Sequence, residues 1–94
     1  MREGIFSVPE ITIYTTPTCP YCLRAKALLR QRNLAFTEIC VATDSKLRRE
    51  MTERTGRTSV PQIFFGDAHV GGCDELHELH DEGKLDQLLA EQPQ

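Results

Sequence analysis

The chain has no tryptophan and no long apolar run. A membrane-crossing helix needs roughly 18 consecutive apolar residues, and nothing here approaches that length. Met1 to Pro9 hold no apolar stretch of the kind a secretion signal requires, which points to the cytoplasm. A second Cys-x-x-Cys pair is also missing. Cys40 and Cys73 stand alone, and His69, His77 and His80 do not follow a pair at finger-like spacing. That leaves no convincing ligand set for a structural zinc ion, so no metal is expected. Positive charge is not in excess either: the net charge is −3, which gives no support to nucleic-acid binding. There is no internal repeat, and no low-complexity segment beyond the polar tail Glu91-Gln92-Pro93-Gln94. Ninety-four residues make one small domain, residues 1–94, with residues 1–9 as a short lead-in. A monomer is expected.

What the chain does have is Thr18-Cys19-Pro20-Tyr21-Cys22. Two thiols two residues apart, where a strand-like run enters a helix-like run, can share one face and close a disulfide with little backbone movement. Pro20 suits the first helical position, where its missing N–H has no helix partner anyway. Cys19 then stands at the positive end of the helix dipole, beside unpaired N–H groups that favour thiolate over thiol. The expectation is a lowered pKa at Cys19 and a resolving role for Cys22, deeper in the turn. In a reducing compartment such a pair is more often catalytic than structural.

Charge is unevenly spread. Residues 24–57 carry a surplus of five positive charges, and residues 67–94 a surplus of seven negative ones. The middle of the chain could attract an acidic small substrate, or both stretches could be plain solvated faces.

Glu10–Tyr14 is rich in β-branched and aromatic residues and reads as a central strand. Thr15–Thr18 is a turn. A helix follows from Pro20 to about Asn33, with Cys22, Ala25, Leu28 and Leu29 inward. Ala35–Cys40 alternates and reads as a second strand, parallel to the first through a right-handed crossover. Cys40, at its end, is expected to be buried and inert. Asp44 or Ser45 caps a second helix that runs to Thr55, with Leu47 and Met51 inward and Gly56 as its stop. Pro61–Phe65 is a third strand. Gly66-Asp67 turns the chain into a short antiparallel strand, Ala68–Val70. Gly71-Gly72 breaks it, a helix runs from Cys73 to Glu82 with Gly83 as its stop, and Leu85–Ala90 forms a last short helix around Leu85, Leu88 and Leu89. His77 and His80 are expected on a solvated face. The order predicts an α/β fold, a four-stranded mixed sheet with helices on both faces.

Three motifs in order, Cys19-Pro20-Tyr21-Cys22, Gly56-Arg57-Thr58-Ser59-Val60-Pro61-Gln62 and Gly71-Gly72-Cys73-Asp74, make the chain resemble the glutaredoxin family, most of all its small bacterial dithiol members. The likeness runs from Ile11 to Leu89. It implies a thioredoxin fold, with glutathione as co-substrate and no tightly bound cofactor. It also implies a cis bond before Pro61, which is cheaper there than before any other residue type. The backbone of Val60 would then be free to pair with an extended peptide such as glutathione. Ser59 stands where relatives usually carry threonine and keeps the hydroxyl. Gly72 permits close approach, the N–H groups at Cys73 and Asp74 would hold the γ-glutamyl carboxylate, and the Asp74 side chain would meet the ligand's amino group. Asp74 also suits a plain helix cap. Tyr21 would line the site. Arg48, or its neighbour Arg49, falls where the family meets the glycyl carboxylate. Many relatives carry a lysine where Thr16 stands, so more of the thiolate stabilisation would rest on the helix start or on Arg48. Cys73, at a helix start beside the site, is either a bystander or a thiol open to modification by glutathione.

The implied activity is glutathione-dependent thiol–disulfide exchange, with Cys19 as nucleophile and Cys22 as resolving thiol. Its partners would be glutathionylated or disulfide-containing proteins, ribonucleotide reductase being one candidate. Two other readings compete. A thioredoxin-like reductant would carry Gly-Pro between the cysteines and a tryptophan before them, and this chain has neither. A [2Fe-2S] cluster carrier ligated by glutathione is disfavoured by the stiff, bulky Pro20-Tyr21 pair.

Overall fold

The computed structural model describes residues 10–91. The lead-in expected at 1–9 and the end of the polar tail lie outside the described residues. The elements are β1 (Ile11–Thr15), α1 (Pro20–Gln31), β2 (Thr37–Cys40), α2 (Ser45–Thr55), β3 (Gln62–Phe65), β4 (Ala68–Gly71), α3 (Cys73–Asp81) and α4 (Leu85–Glu91). The sheet order is β2-β1-β3-β4. β1 runs parallel to β2 and antiparallel to β3, and β3 is antiparallel to β4, so the sheet is mixed as expected.

Side chains alternate across the strands and divide the interior in two. Ile11 and Ile13 of β1, with Ile63 and Phe65 of β3, face Ala25, Leu28 and Leu29 of α1, Leu76 of α3 and Leu85 of α4. Tyr14 and Phe64 point the other way, onto Met51 of α2 and Val41, with Val60 and Leu47 packed against them. Each large side chain removed from water contributes roughly 1.5–3 kcal/mol. All four residues of β3 are buried because helices cover both faces of that strand. Among the described residues no helix is long and apolar enough to cross a membrane.

Local chemistry sets the element ends. The Asp44 carboxylate caps α2, accepting from the N–H groups of Lys46 and Leu47 at 3.0 and 3.1 Å. α1 stops at Gln31, two residues before the sequence-based end. Asn33 turns left-handed at φ 59°, and the Leu34 N–H reaches back to the Leu29 carbonyl at 2.9 Å. A short polar side chain tolerates that conformation, and the returning N–H satisfies a carbonyl that the helix leaves open.

Three further expectations fail. β2 begins only at Thr37, and Cys40 is exposed rather than buried. β2 is an edge strand, so Cys40, its last residue, has a strand neighbour on one side only. Nor do the α3 histidines simply face water. The Nε2 atom of His77 is buried, and the Nδ1 atom of His80 lies 3.3 Å from a guanidinium nitrogen of Arg32. Arg32 also bonds Asp86, tying α1 to α3 and α4. The side chain of Leu89 lies outside the described set, while Leu88 packs against the first cluster.

Glu38, on β2, ties the parallel pair to α1. Its carboxylate accepts from Lys26 Nζ at 2.8 Å and from the Thr15 hydroxyl at 2.6 Å. The Lys26 bond foremost, then the Thr15 bond, hold its pKa below the usual glutamate value. A lowered folded-state pKa means that the stabilisation is complete above the unfolded value and fades as pH falls through the folded one. Glu38→Gln should therefore flatten the acid limb of a melting-temperature profile below about pH 4.5 and change little near pH 7 beyond loss of the pair itself. An acid limb identical to wild type would contradict the assignment.

Candidate active site

α1 begins where β1 and the turn at Thr16–Thr18 deliver the chain to Cys19. Cys19 is the N-cap, with extended backbone (φ −87°, ψ 116°), and Pro20 follows at the first helical position. The Cys19 carbonyl accepts from the Leu23 N–H at 3.2 Å, so the helix is closed from its first residue. Cys19 is partly exposed and Cys22, one turn on, is 1 % exposed. Both are free thiols. Burial, above all, pushes the Cys22 thiol up to about 11, and the hydrogen bond and charge of the Cys19 sulfur add to it. At neutral pH Cys22 therefore holds its proton while Cys19 faces solvent.

Across from Cys19 runs the loop that enters β3. The Cys19 S–H points to the Val60 carbonyl at 3.8 Å, and the Val60–Pro61 bond is cis. Beside that loop lies a groove of about 260 Å3, which Val60 lines. Its walls are Ser59, Val60, Pro61 and Gln62 on one side, and Gly72, Cys73, Asp74 and Glu75 at the start of α3 on the other. Tyr21 and Arg57 complete it. Tyr21 is 53 % exposed, an aromatic face left open to whatever enters.

The start of α3 offers N–H groups that no helix carbonyl can reach. One of them is already engaged: Glu75 Oε1 accepts from the Gly72 N–H at 2.6 Å. That bond is the main reason the Glu75 carboxyl sits below its usual pKa, with Arg57, 3.6 Å away, as a smaller one. The N–H groups of Cys73 and Asp74 stay at the mouth of the helix, where the dipole favours an anion. The groove thus pairs an anion-seeking helix start and one guanidinium with the carboxylate of Asp74. That pattern suits a ligand carrying both carboxylate and ammonium groups.

Seven of the eight residues expected to bind ligand line this groove: Tyr21, Ser59, Val60, Pro61, Gly72, Cys73 and Asp74. Arg48 does not. Its guanidinium donates to the Thr58 carbonyl at 3.1 Å and braces the loop from outside. The cation on the wall is Arg57, which sequence reasoning quoted in a motif but gave no role. Gln62 and Glu75 were also passed over. Glu75 had a legible signal, since a glutamate three residues after a helix-starting glycine suits a return bond to the cap. Cys73 is buried, and burial raises its pKa, which leaves it poorly disposed to react. Among the described residues no cluster of three His, Cys, Asp or Glu side chains is arranged to hold a metal ion.

Comparison with known proteins agrees with this geometry. Residues 11–70 match the family model described as glutaredoxin. A curated glutaredoxin of Pseudomonas aeruginosa is 51 % identical over 83 residues, covering 88 % of this chain and 99 % of its own. The solution structure of a glutaredoxin from Brucella melitensis is 56 % identical, with a TM-score of 0.80 over 92 % of this chain and 94 % of its own. A crystal structure of a buckwheat glutaredoxin–glutathione complex is 32 % identical, with a TM-score of 0.79 over 89 % of this chain and 78 % of its own. The arrangement of sheet and helices is the thioredoxin fold that such proteins share. With a paired thiol at a helix start, a groove beside it and these relatives along most of its length, the chain belongs to the glutaredoxin family of thiol–disulfide oxidoreductases.

Proposed function

We propose that the electron donor is glutathione and that the substrates are protein–glutathione mixed disulfides and protein disulfides. The carrying observation is the Cys19 sulfur 3.8 Å from the carbonyl of Val60, a residue that lines a groove of about 260 Å3. A glutathione complex of the buckwheat relative supports the same reading. Glutathione would lie extended along Val60 and pair with its backbone. Its γ-glutamyl carboxylate would meet the N–H groups at Cys73 and Asp74, and its amino group the Asp74 carboxylate. Its glycyl carboxylate would meet Arg57, whose planar fork suits such a group.

In the first step the deprotonated Cys19 sulfur attacks the glutathionyl sulfur of a mixed disulfide. The Cys19–glutathione bond forms, the old S–S bond breaks, and the substrate leaves as thiolate. A second glutathione thiolate attacks that new disulfide on its glutathionyl sulfur, releasing oxidised glutathione and restoring Cys19. For a protein disulfide, Cys22 attacks the Cys19–substrate bond instead. The pair closes, and two glutathiones reopen it. A reducing cytoplasm with abundant glutathione is the setting this chemistry requires.

Turnover of a glutathionylated peptide, coupled to glutathione reductase, tests the reading. Wild type should turn over with glutathione, and a chain that works only with a flavoprotein thioredoxin reductase would overturn it. In the same assay Arg57→Ala should raise KM for glutathione about tenfold, as expected for loss of a charge-assisted bond of about 1.5 kcal/mol. Arg48→Ala should leave KM within about twofold, since a charge on the outer side of the loop is worth little across solvent. The opposite pattern would return the role to Arg48.

A further inference from the structure

We propose that His69, outside the groove, is a positioning residue for this reaction: through the buried amide of Gln62 it holds Ser59 and Val60 where the glutathionyl sulfur must be presented to Cys19. The inference rests on the glutathione reading of the groove.

The loop from Gly56 to Pro61 has no ladder of backbone bonds, so side chains must brace it. Arg48 adds only a solvent-exposed bond, at the Thr58 carbonyl. The inner brace is Gln62, which is 1 % exposed. Its Nε2 donates to the Ser59 carbonyl at 3.0 Å and lies 3.4 Å from the Ser59 hydroxyl. A backbone carbonyl only accepts, so the amide NH2 must face Ser59 and the amide oxygen must face away. What it faces is His69 Nε2, 2.7 Å distant. That nitrogen must therefore carry the proton, which fixes the tautomer of a ring whose other nitrogen needs none.

Sheet geometry explains why His69 can reach. Phe64 pairs with His69 across β3 and β4, and Gln62 lies two residues from Phe64 on the same face. His69 and Gln62 are diagonal neighbours, within reach of long side chains. The imidazole is held in its plane by Phe64, with ring centroids 5.0 Å apart. Phe64 is held in turn by the Arg54 guanidinium, 4.0 Å from its centre, and Arg54 bonds the Tyr14 hydroxyl at 2.7 Å. Burial first, then the charge of Arg57, lower the His69 pKa and keep the ring neutral at neutral pH. A fixed ring thus fixes an amide, and the amide fixes the wall.

His69→Phe keeps the stack on Phe64 and removes the donor. It should raise KM for a glutathionylated peptide about tenfold with kcat within about twofold, a loss of placement rather than of chemistry. His69→Gln, which keeps an N–H donor of similar reach, should recover most of the loss. Gln62→Met should match His69→Phe, and the double variant should be no worse than either, because one chain is cut once. Alkylation of Cys19 by iodoacetamide, which needs no groove, should keep its rate in His69→Phe. The proposal is overturned by an unchanged KM, by additive effects, or by activity lost only in proportion to the unfolded fraction. Hydrogen exchange of the buried Gln62 side-chain amide, which donates to the Ser59 carbonyl and is expected to quicken about tenfold in His69→Phe, needs no substrate. It therefore tests the brace even if the wild type does not turn over glutathione, a result that would sink the glutathione reading alone. Unchanged exchange would overturn the brace itself.

Discussion

Cys19→Ser is expected to abolish turnover of every disulfide substrate, by at least about a thousandfold, while Cys22→Ser keeps glutathionylated substrates within about threefold of wild type. On protein disulfides Cys22→Ser should fall by about a hundredfold or more. The split follows from burial. Cys19 is partly exposed, whereas Cys22 is 1 % exposed and holds its proton at neutral pH. Cys22 cannot be the first nucleophile, and the glutathione-only route never needs it. It enters after Cys19 is already bonded to a substrate. At that point the Cys19 sulfur carries no charge and no thiol proton, and two of the causes that raise the Cys22 pKa are gone. The event that calls for the resolving thiol thus removes part of what holds its proton, while burial, the largest cause, remains. Steady-state assays on a glutathionylated peptide and on a protein disulfide, run with both variants, check this. Equal loss on both substrates in Cys22→Ser would refute the division of labour.

Gly71→Ala should cost about 2–3 kcal/mol of stability and weaken the groove as well. Gly71 ends β4 with φ at 121°, a region that side chains avoid. A Cβ built there would stand 2.8 Å from Glu75 Oε1 and 3.0 Å from the next two atoms of that side chain. Glu75 would have to swing away, leaving the Gly72 N–H without its acceptor and Arg57 without its carboxylate neighbour. The loss can be apportioned with Glu75→Ala. If the clash matters, Gly71→Ala with Glu75→Ala should lose clearly less than the two single losses added together. If backbone strain alone matters, they should add. Urea melts give the energies, and KM for glutathione reports the groove. A stability within 0.5 kcal/mol of wild type, the ordinary surface range, would show that the site relaxes freely.

Much of this architecture is legible in the sequence because single residues mark it. Asp44 caps α2, Asn33 and Gly83 turn left-handed at helix ends, and Cys19-Pro20 opens α1. The strand read as central at Glu10–Tyr14 is β1, which lies between β2 and β3. What the sequence does not show is anything set by neighbours distant along the chain. Cys40 looks like core until β2 proves to be the sheet edge. Arg48 or Arg49 is the candidate and Arg57 is passed over, until Arg48 is seen bonded to Thr58 and Arg57 beside Glu75. His69 reads as an ordinary polar residue on a short strand, because its partners Gln62 and Phe64 meet it only through sheet pairing. His77 and His80 look solvated on a helix so acidic, yet α1 and α4 bring Arg32 and Asp86 against that surface.

The two interior clusters have a consequence for how the site can vary. The sulfurs belong to α1, whose inner face packs with α3 on one side of the sheet. Val60 belongs to the cluster on the opposite side, under α2. The catalytic cleft is therefore a seam between two layers rather than a hollow in one. Substitutions beneath α2 can retune how tightly a peptide is gripped while the reacting atom stays where it is. Affinity and chemistry thus answer to separate sets of buried residues, and one scaffold can serve many disulfide substrates without rebuilding its reactive end.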